Sequence, residues 1–147
     1  MKISEVQKFI MDRLTADETI GASHASVVCA DDGDTVNQVR QAMADDGLIV
    51  IVLTPKFDPT STSAKRPVGD LSVIVRVAEK PDLNRERGDF TLGVDLAEHI
   101  GVLLNLEKPF PNADILVLAK PGITASSQDG ETVAWDVPFK MVHQLHA

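Results

Sequence analysis

The sequence predicts an α+β fold: a mixed β-sheet of about five strands with about three helices packed mainly on one face. Helical segments first alternate with single strands and later with pairs of strands. Residues 48–54 are apolar at nearly every position, which is typical of a strand covered on both faces. The chain has 147 residues, 44% of them hydrophobic, so we expect a single domain, 1–147, with its own core.

Two helices are predicted before the apolar run 48–54. The first covers residues 3–16, where apolar side chains recur at helical spacing and form one stripe. A short apolar run over 25–30 predicts a strand. The second helix covers 34–46, and Gly47 suits the left-handed residue that ends a helix.

The second half of the chain contains three predicted strands and one helix. Residues 71–79 alternate between apolar and polar side chains, which indicates a strand with one wet face. Residues 91–105 predict the third helix, and the apolar run 114–119 predicts another strand. Residues 133–141 alternate without a break, but Pro138 removes a backbone donor, so we expect this strand to lie at an edge or to carry a bulge.

Two polar segments separate these elements. The segment at about 55–70 is rich in proline, serine and threonine and has few apolar residues. We expect it to be a flexible loop that becomes ordered in an assembly. The segment at about 120–130 contains Pro121 and Gly122 and is expected to form the tip of a long hairpin.

Composition disfavours several classes of protein. The chain carries 22 acidic and 14 basic residues, one Trp and no Tyr. Nucleic acids bind basic surfaces and aromatic platforms, so direct binding of nucleic acid is not expected. The N-terminal residues are too polar for a signal peptide, and no apolar run approaches the roughly 20 residues of a membrane helix. We therefore expect a soluble protein that does not bind membranes.

Motifs for catalysis, cofactors and metals are weak. The sequence has neither a Walker-type phosphate loop nor a dinucleotide-binding glycine motif. Cys29 lies in an apolar strand, where core packing is the expected role. The acidic run 31–34 does not match a calcium loop. His143 and His146 have the spacing of two ligands on a helix, but a frayed chain end is the expected structure there.

One pair of residues is compatible with an enzymatic function. Asp95 and His99 are four residues apart on the third predicted helix, so their side chains are expected to pair at the surface. With an acid from a loop they would form a minimal acid–base site. A small soluble bacterial enzyme, or a ligand-binding module, is therefore the alternative. The leading expectation is that the chain has no catalytic residues, no metal and no cofactor.

A strand–turn–helix segment points to a family. Glu79 ends an apolar strand, Pro81 stops it, and Asn84 permits a sharp turn before the third helix. That helix carries Ala97, Ile100 and Leu103. This layout resembles the tail-terminator or minor-tail proteins of tailed bacteriophages and prophages.

The resemblance implies a structural virion protein without catalytic residues. Such a protein forms a ring, commonly a hexamer, that caps the tail tube and meets the head connector. The implied partners are other copies of the chain, a tail-tube protein and a head-completion protein. The implied location is the virion, or the host cytoplasm during assembly.

Charge is distributed unevenly, which suggests how copies meet. Residues 55–90 have a net charge of +1, whereas residues 1–54 have −5. A closed ring needs two different complementary surfaces on each copy. The candidate basic residues are Lys65, Arg66, Arg85 and Arg87. The candidate acidic residues are Asp31, Asp32, Asp45 and Asp46. An ordinary solvated surface and an apolar contact through the Trp135 strand are the alternatives.

Overall fold

The computed structural model describes residues 2–31, 33–60, 65–128 and 131–146. The helices are α1 (Ile3–Thr15), α2 (Glu18–Ala22), α3 (Thr35–Asp45), α4 (Pro81–Arg85) and α5 (Gly93–Leu104). The strands are β1 (Ser26–Cys29), β2 (Leu48–Val52), β3 (Lys56–Pro59), β4 (Val68–Glu79), β5 (Val117–Leu118), β6 (Thr124–Gln128) and β7 (Val133–Gln144). The predicted α+β class is confirmed, with more strands than the sequence predicts.

A mixed sheet of seven strands forms the centre of the described structure. The strand order is β1-β2-β4-β7-β5; β3 lies beside β4, next to the end of β2, and β6 lies beside β7. β1 and β2 are parallel and are connected by α3, while the other neighbours are antiparallel. β4 and β7 pair along their whole lengths, from Val68 opposite Gln144 to Glu79 opposite Val133.

Helices cover the two faces of the sheet unequally. α1 and α5 pack on one face, the core face, where alternate residues of β4 and β7 such as Val75 and Phe139 are buried. α3 packs on the opposite face against β1 and β2, through contacts that include Ala42 and Ile49. β2 therefore lies between two helical layers, which confirms the prediction that it is covered on both faces. Leu48, Ile49, Val50 and Val52 are each 0% exposed.

The three predicted helices are present with ends shifted by one or two residues, and two short helices are additional. α2 begins where the side chain of Asp17 accepts a hydrogen bond from the backbone N–H of Ile20. α4 has Pro81 in its first turn, where a missing N–H costs nothing. Gly47, at φ +68°, follows α3 in the left-handed conformation that the sequence predicts.

Part of the predicted flexible loop is a strand. β3 pairs with β4, with Phe57 opposite Leu71 and Pro59 opposite Gly69. Phe57 packs against the core, and this single aromatic side chain anchors an otherwise polar segment. Residues 61–64 of the same loop lie outside the described residues. The predicted hairpin tip at about 120–130 is too long, because Thr124–Gln128 form β6 and pair with β7; residues 129–130 also lie outside the described range.

The predicted strand 114–119 is reduced to two paired residues. Val117 and Leu118 pair with β7, but Leu116 turns its backbone away from that strand. The Leu116 N–H donates to the Glu107 carbonyl at 2.8 Å, and the Leu116 carbonyl accepts from the Leu106 N–H at 2.7 Å. The two bonds hold Leu116 beside the chain that follows α5, and Leu116 is completely buried as part of the core.

Pro138 does not place β7 at an edge, because β7 has neighbours on both sides. The Pro138 carbonyl accepts a hydrogen bond from Ala119 at 2.9 Å, so this residue directs its backbone away from β4. The missing N–H thus faces the gap between β5 and β6, where no ladder bond is interrupted. The irregularity of the ladder lies instead in β6, between Ala125 and Ser127.

The described helices are short. The longest, α1, has 13 residues, and within the described ranges no helix has the length and apolar character needed to span a membrane.

Candidate functional site

The candidate basic residues of the interface lie beyond opposite ends of β4. Lys65 and Arg66 precede the first residue of the strand, Val68. Arg85 and Arg87 follow its last residue, Glu79, together with α4. β4 has 12 residues and rises about 3.3 Å per residue, so its two ends, with the basic pairs beyond them, lie roughly 36 Å apart along the sheet. The predicted basic region is therefore two separate surfaces.

Arg87 and Asp46 contact each other within one chain. Because β2 and β4 are antiparallel, the end of α3 lies beside the end of β4, with Leu48 opposite Glu79. The Arg87 Nη2 lies 2.5 Å from the Asp46 Oδ1, and both side chains are partly buried. These two residues, predicted on opposing surfaces, form an ion pair that joins the end of α3 to the chain after α4.

Arg85 and Asp45 are exposed near this ion pair. Asp45 accepts a hydrogen bond from the side chain of Gln41 at 2.8 Å, one helical turn earlier. Arg85 is in the last turn of α4, with its side chain in solvent. This end of the sheet thus presents exposed charges of both signs.

At the other end, Lys65 is exposed and Arg66 binds the chain after β7. The Arg66 Nε donates to the Leu145 carbonyl at 3.3 Å, and the Arg66 Nη2 lies 2.6 Å from the Nδ1 of His146. Gln144 donates from its side chain to the Arg66 carbonyl at 3.2 Å. Arg66 therefore has a structural role at the end of β7, whereas the Lys65 side chain extends into solvent.

Asp31 belongs to a hydrogen-bonded cluster at the carboxyl ends of β1 and β2. Gln7 of α1 donates to Asp31 Oδ2 at 3.0 Å and to Cys29 Sγ at 2.9 Å. Thr54 donates to Asp31 Oδ1 at 2.6 Å. The hydrogen bonds from Thr54 and Gln7 outweigh burial and lower the pKa of the Asp31 carboxyl below its usual value. Asp32 lies outside the described residues.

This cluster connects α1 to the sheet, a role that the interface prediction for Asp31 did not include. Cys29 is 8% exposed, in agreement with the predicted core position. The contacts of Gln7 with Asp31 and Cys29 were not predicted, although its place between Ile3 and Ile10 puts it on the apolar stripe of the helix. A polar side chain on such a stripe is a signal for a buried hydrogen bond.

Glu79 and Asn84 form the most deeply buried polar pair in the described structure. Asn84 is 0% exposed and Glu79 is 5% exposed. The side-chain amide of Asn84 donates to Glu79 Oε2 at 2.7 Å and to the Thr91 carbonyl at 2.8 Å. The Glu79 side chain also lies against Gly93, where a Cβ would approach within 3.1 Å of it. The pair joins the end of β4, α4 and the start of α5.

The sheet face opposite α1 and α5 carries paired charges along β4 and β7. The Arg76 guanidinium donates to both carboxylate oxygens of Asp136, at 2.7 and 3.1 Å. Lys140 lies 3.2 Å from Asp70. Val117 and Val142, 42% and 50% exposed, lie beside the second pair. Trp135, by contrast, lies within the sheet between β4 and β6, so it is not part of a free edge.

His99 pairs with Asp17 instead of Asp95. The Nε2 of His99 lies 2.8 Å from Asp17 Oδ2, so the predicted surface pair Asp95–His99 is replaced by a contact between α5 and the start of α2. Asp95 is exposed on the first turn of α5. The Asp17 side chain is 12% exposed and also caps α2, which gives this contact a structural function.

We expect Asp17 to stabilise the fold in a pH-dependent manner. Burial raises the pKa of Asp17, but the N–H of Ile20, His99 and Arg13 together lower it below its usual 3.8. A carboxyl whose pKa is lower in the folded than in the unfolded state stabilises the fold fully above the unfolded value of 3.8. This stabilisation is lost as the pH falls from 3.8 through the lowered pKa. Asp17→Asn should cost about 1 kcal/mol of unfolding free energy at pH 7, by urea titration, and much less at pH 3.

The exposed Asp12, paired with Lys8 on α1, provides the control. Asp12→Asn should change the unfolding free energy by less than about 0.5 kcal/mol at both pH values. An Asp17→Asn variant with the same loss at pH 3 as at pH 7 would contradict the ionic contribution.

Neither of the two histidines near residue 145 lies on a helix, because His143 is in β7 and His146 follows the end of that strand, where it contacts Arg66. β7 extends to Gln144, and His143 is 5% exposed opposite Gly69. Among the described residues, no group of three His, Cys, Asp or Glu side chains lies close enough together to hold an ion.

Comparison with known proteins assigns no family to the chain. A scan against protein-family models gave no match, and a search of curated proteins gave no significant match.

Proposed function

We propose that this protein is a structural subunit of a phage or prophage virion, similar to tail terminators. Identical copies form a ring, commonly a hexamer, that caps the tail tube and joins it to the head connector. The partners are a tail-tube protein and a head-completion protein. In this proposal the chain acts by assembly and not by catalysis, in the virion or in the host cytoplasm while virions assemble.

The observation that carries the proposal is the separation of exposed charges along β4. Lys65 is exposed at one end of the strand, and Asp45 is exposed beside the other end. A ring requires contact between two different surfaces on each copy, which must lie on different sides of the molecule. A basic and an acidic surface roughly 36 Å apart satisfy this requirement.

The buried pair Glu79–Asn84 gives the family resemblance a physical basis. The sequence predicts that Glu79 ends a strand and that Asn84 lies in a sharp turn, but Asn84 lies in the short helix α4. The hydrogen bond between these residues, with the second bond from Asn84 to Thr91, holds β4, α4 and the start of α5 together. The Asn84 amide thus supplies a buried hydrogen-bond donor to the Glu79 carboxylate, which supports a structural role for both residues in this layout.

We expect charge reversal to weaken assembly. Lys65 extends into solvent at its end of β4, whereas Arg66 binds the chain after β7 and Arg87 is paired with Asp46. Lys65→Glu should lower the association constant about fivefold at low salt, because its contact with the Asp45 surface of the next copy becomes repulsive. Sedimentation velocity over a range of protein concentrations measures the change. High salt should reduce association of the wild-type protein as well.

A matched control reverses one exposed lysine elsewhere. Lys108→Glu changes the net charge equally, outside the candidate interface. The control should assemble like the wild-type chain. If the Lys65→Glu variant also assembles like wild type at low salt, the electrostatic contact is wrong and an apolar contact between copies replaces it.

A further inference from the structure

The end of β7 is held to the residues before β4 by a compact set of bonds. The Leu145 N–H donates to the Pro67 carbonyl at 2.9 Å. Arg66 binds the Leu145 carbonyl and the ring of His146, and Gln144 binds the Arg66 carbonyl. These contacts close the open end of the β4–β7 ladder, on the side of the sheet where Lys65 is exposed.

His143 is buried inside this set with one ring nitrogen unsatisfied. Its ring meets Phe57 of β3 edge-on, with centroids 6.2 Å apart and planes at 84°. Its Nε2 is buried and has no hydrogen-bond partner among the described residues. A neutral ring tolerates one unpaired nitrogen, whereas an imidazolium carries two N–H donors and a charge that burial penalises strongly.

His146 is bound in a way that also requires a neutral ring. The Arg66 guanidinium has only donors, so the Nδ1 that it contacts at 2.6 Å must accept. Protonation of that nitrogen would remove the hydrogen bond and place two cations in contact. The ring of His143 lies 6.2 Å from that of His146, so a charge on either imidazole opposes a charge on the other.

Two acidic residues, Asp114 and Glu5, lie near the rings, but neither forms an ion pair with them. Among the described residues, no carboxylate lies within 4 Å of a ring nitrogen of His143 or His146. Asp114 lines the cavity beside both rings, with Phe110 and Asn112. Glu5, on α1, favours a positive charge on His146.

The acids of the neighbouring strands are bound elsewhere. Asp58 of β3 and Asp70 of β4 lie on the other face of the sheet. There they pair with Lys56 and Lys140. They are therefore not placed to neutralise an imidazolium at His143.

We propose that His143 and His146 form a proton-sensitive clasp with Arg66 and Phe57. The clasp holds the end of β7 against the residues before β4 while both rings are neutral, and it opens on acidification.

The expected direction follows from the environment of each ring. Burial first, and then the charge of His146, lower the pKa of His143 below its usual 6.5. The His146 side chain is exposed, and its pKa is lowered by desolvation and by the charge of Arg66, against the opposing effect of Glu5. A histidine with a lowered pKa in the closed state binds protons more tightly when the clasp is open. Closure is therefore complete above about pH 6.5 and weakens as the pH falls below that value.

Hydrogen exchange of the Leu145 amide measures opening directly. Between pH 7.5 and 5.5, its protection factor, corrected for intrinsic exchange, should fall about tenfold if one histidine is linked and about a hundredfold if both are. The Ala30 amide, which donates to Val52 at 2.9 Å in another part of the sheet, should keep its protection. Equal losses at both amides would indicate global unfolding and overturn the clasp.

Two variants and a titration complete the test. His143→Phe combined with His146→Gln keeps an aromatic ring against Phe57 and an acceptor for Arg66, so the Leu145 amide should lose its pH dependence. His24→Asn, at an exposed histidine with φ +62°, should behave like wild type. NMR titration of the wild-type rings needs no variant. If both rings protonate at or above pH 6.5 while Leu145 remains protected, the proposal is wrong.

Discussion

Replacing Asn84 by alanine should cost about 3 kcal/mol of unfolding free energy, one of the largest effects of any single substitution in this chain. The change removes both hydrogen bonds of the Asn84 amide and leaves the Glu79 carboxylate buried without that donor. A buried polar group that loses its partner costs its full desolvation penalty. Because the Thr91 carbonyl loses its donor too, the start of α5 should also become less protected against hydrogen exchange.

Urea denaturation of Asn84→Ala, Glu79→Gln and the double variant measures the coupling between the two side chains. The double variant should be more stable than the sum of the single losses predicts. The reason is that Glu79→Gln removes the carboxylate charge that Asn84→Ala would leave without its donor. Asn37→Ala is the control, since this exposed side chain donates only to Asp34 at the surface. Additive single losses would show that Asn84 acts through packing alone.

Replacing Gly69 by alanine should cost a similar amount, about 3 kcal/mol, through a steric clash. A Cβ on Gly69 would overlap the Asp58 carbonyl and approach the Pro59 Cα within 2.7 Å. Both contacts are backbone atoms of β3, which cannot rotate away, so β3 must leave its position beside β4. Since Phe57 is the only large apolar side chain of β3, its departure would also expose the ring of His143.

Gly21 in α2 provides a matched control, because a Cβ there has no atom within 4 Å. Gly21→Ala should leave the free energy of unfolding unchanged or raise it by up to about 1 kcal/mol. Thermal or urea denaturation gives the comparison, and the chemical shifts of β3 report its position. Normal stability of Gly69→Ala with β3 still paired would show that the strand tolerates closer approach.

Sequence patterns predicted the parts of the fold that depend on long apolar repeats. β2, β4 and β7 were predicted because their side chains show either continuous burial or strict alternation over many residues. The helices α1, α3 and α5 were predicted from stripes of apolar residues. In each case the local pattern and the final burial agree.

The elements that were missed are those whose stability comes from distant partners. Within β3 a single side chain, Phe57, packs against the core, and the pairing of β3 with β4 supplies the remaining stabilisation of the strand. β5 was predicted too long, because the sequence of 114–119 does not reveal that Leu116 bonds to Leu106 and Glu107. No local pattern predicts that the helix of His99 meets Asp17, 82 positions earlier in the chain.

The candidate interface shows the same limitation. Net charge by segment grouped Lys65, Arg66, Arg85 and Arg87 together, although β4 holds the two pairs far apart. It also assigned Arg87 and Asp46 to opposing surfaces, whereas the antiparallel pairing of β2 and β4 brings them into contact. A count of charges by segment carries no information on strand pairing, and strand pairing determines which charged side chains remain exposed.

The long ladder between β4 and β7 has a consequence for how the protein folds. Each residue of β4 pairs with one more than fifty positions later in the chain, while β1 pairs with β2 across a single helix. The entropy of closing so large a loop must be overcome before any ladder bond forms. The helices on the core face cannot complete their burial until the ladder exists. We therefore expect slow folding, in which the half of the chain before β4 remains only loosely packed until β7 arrives.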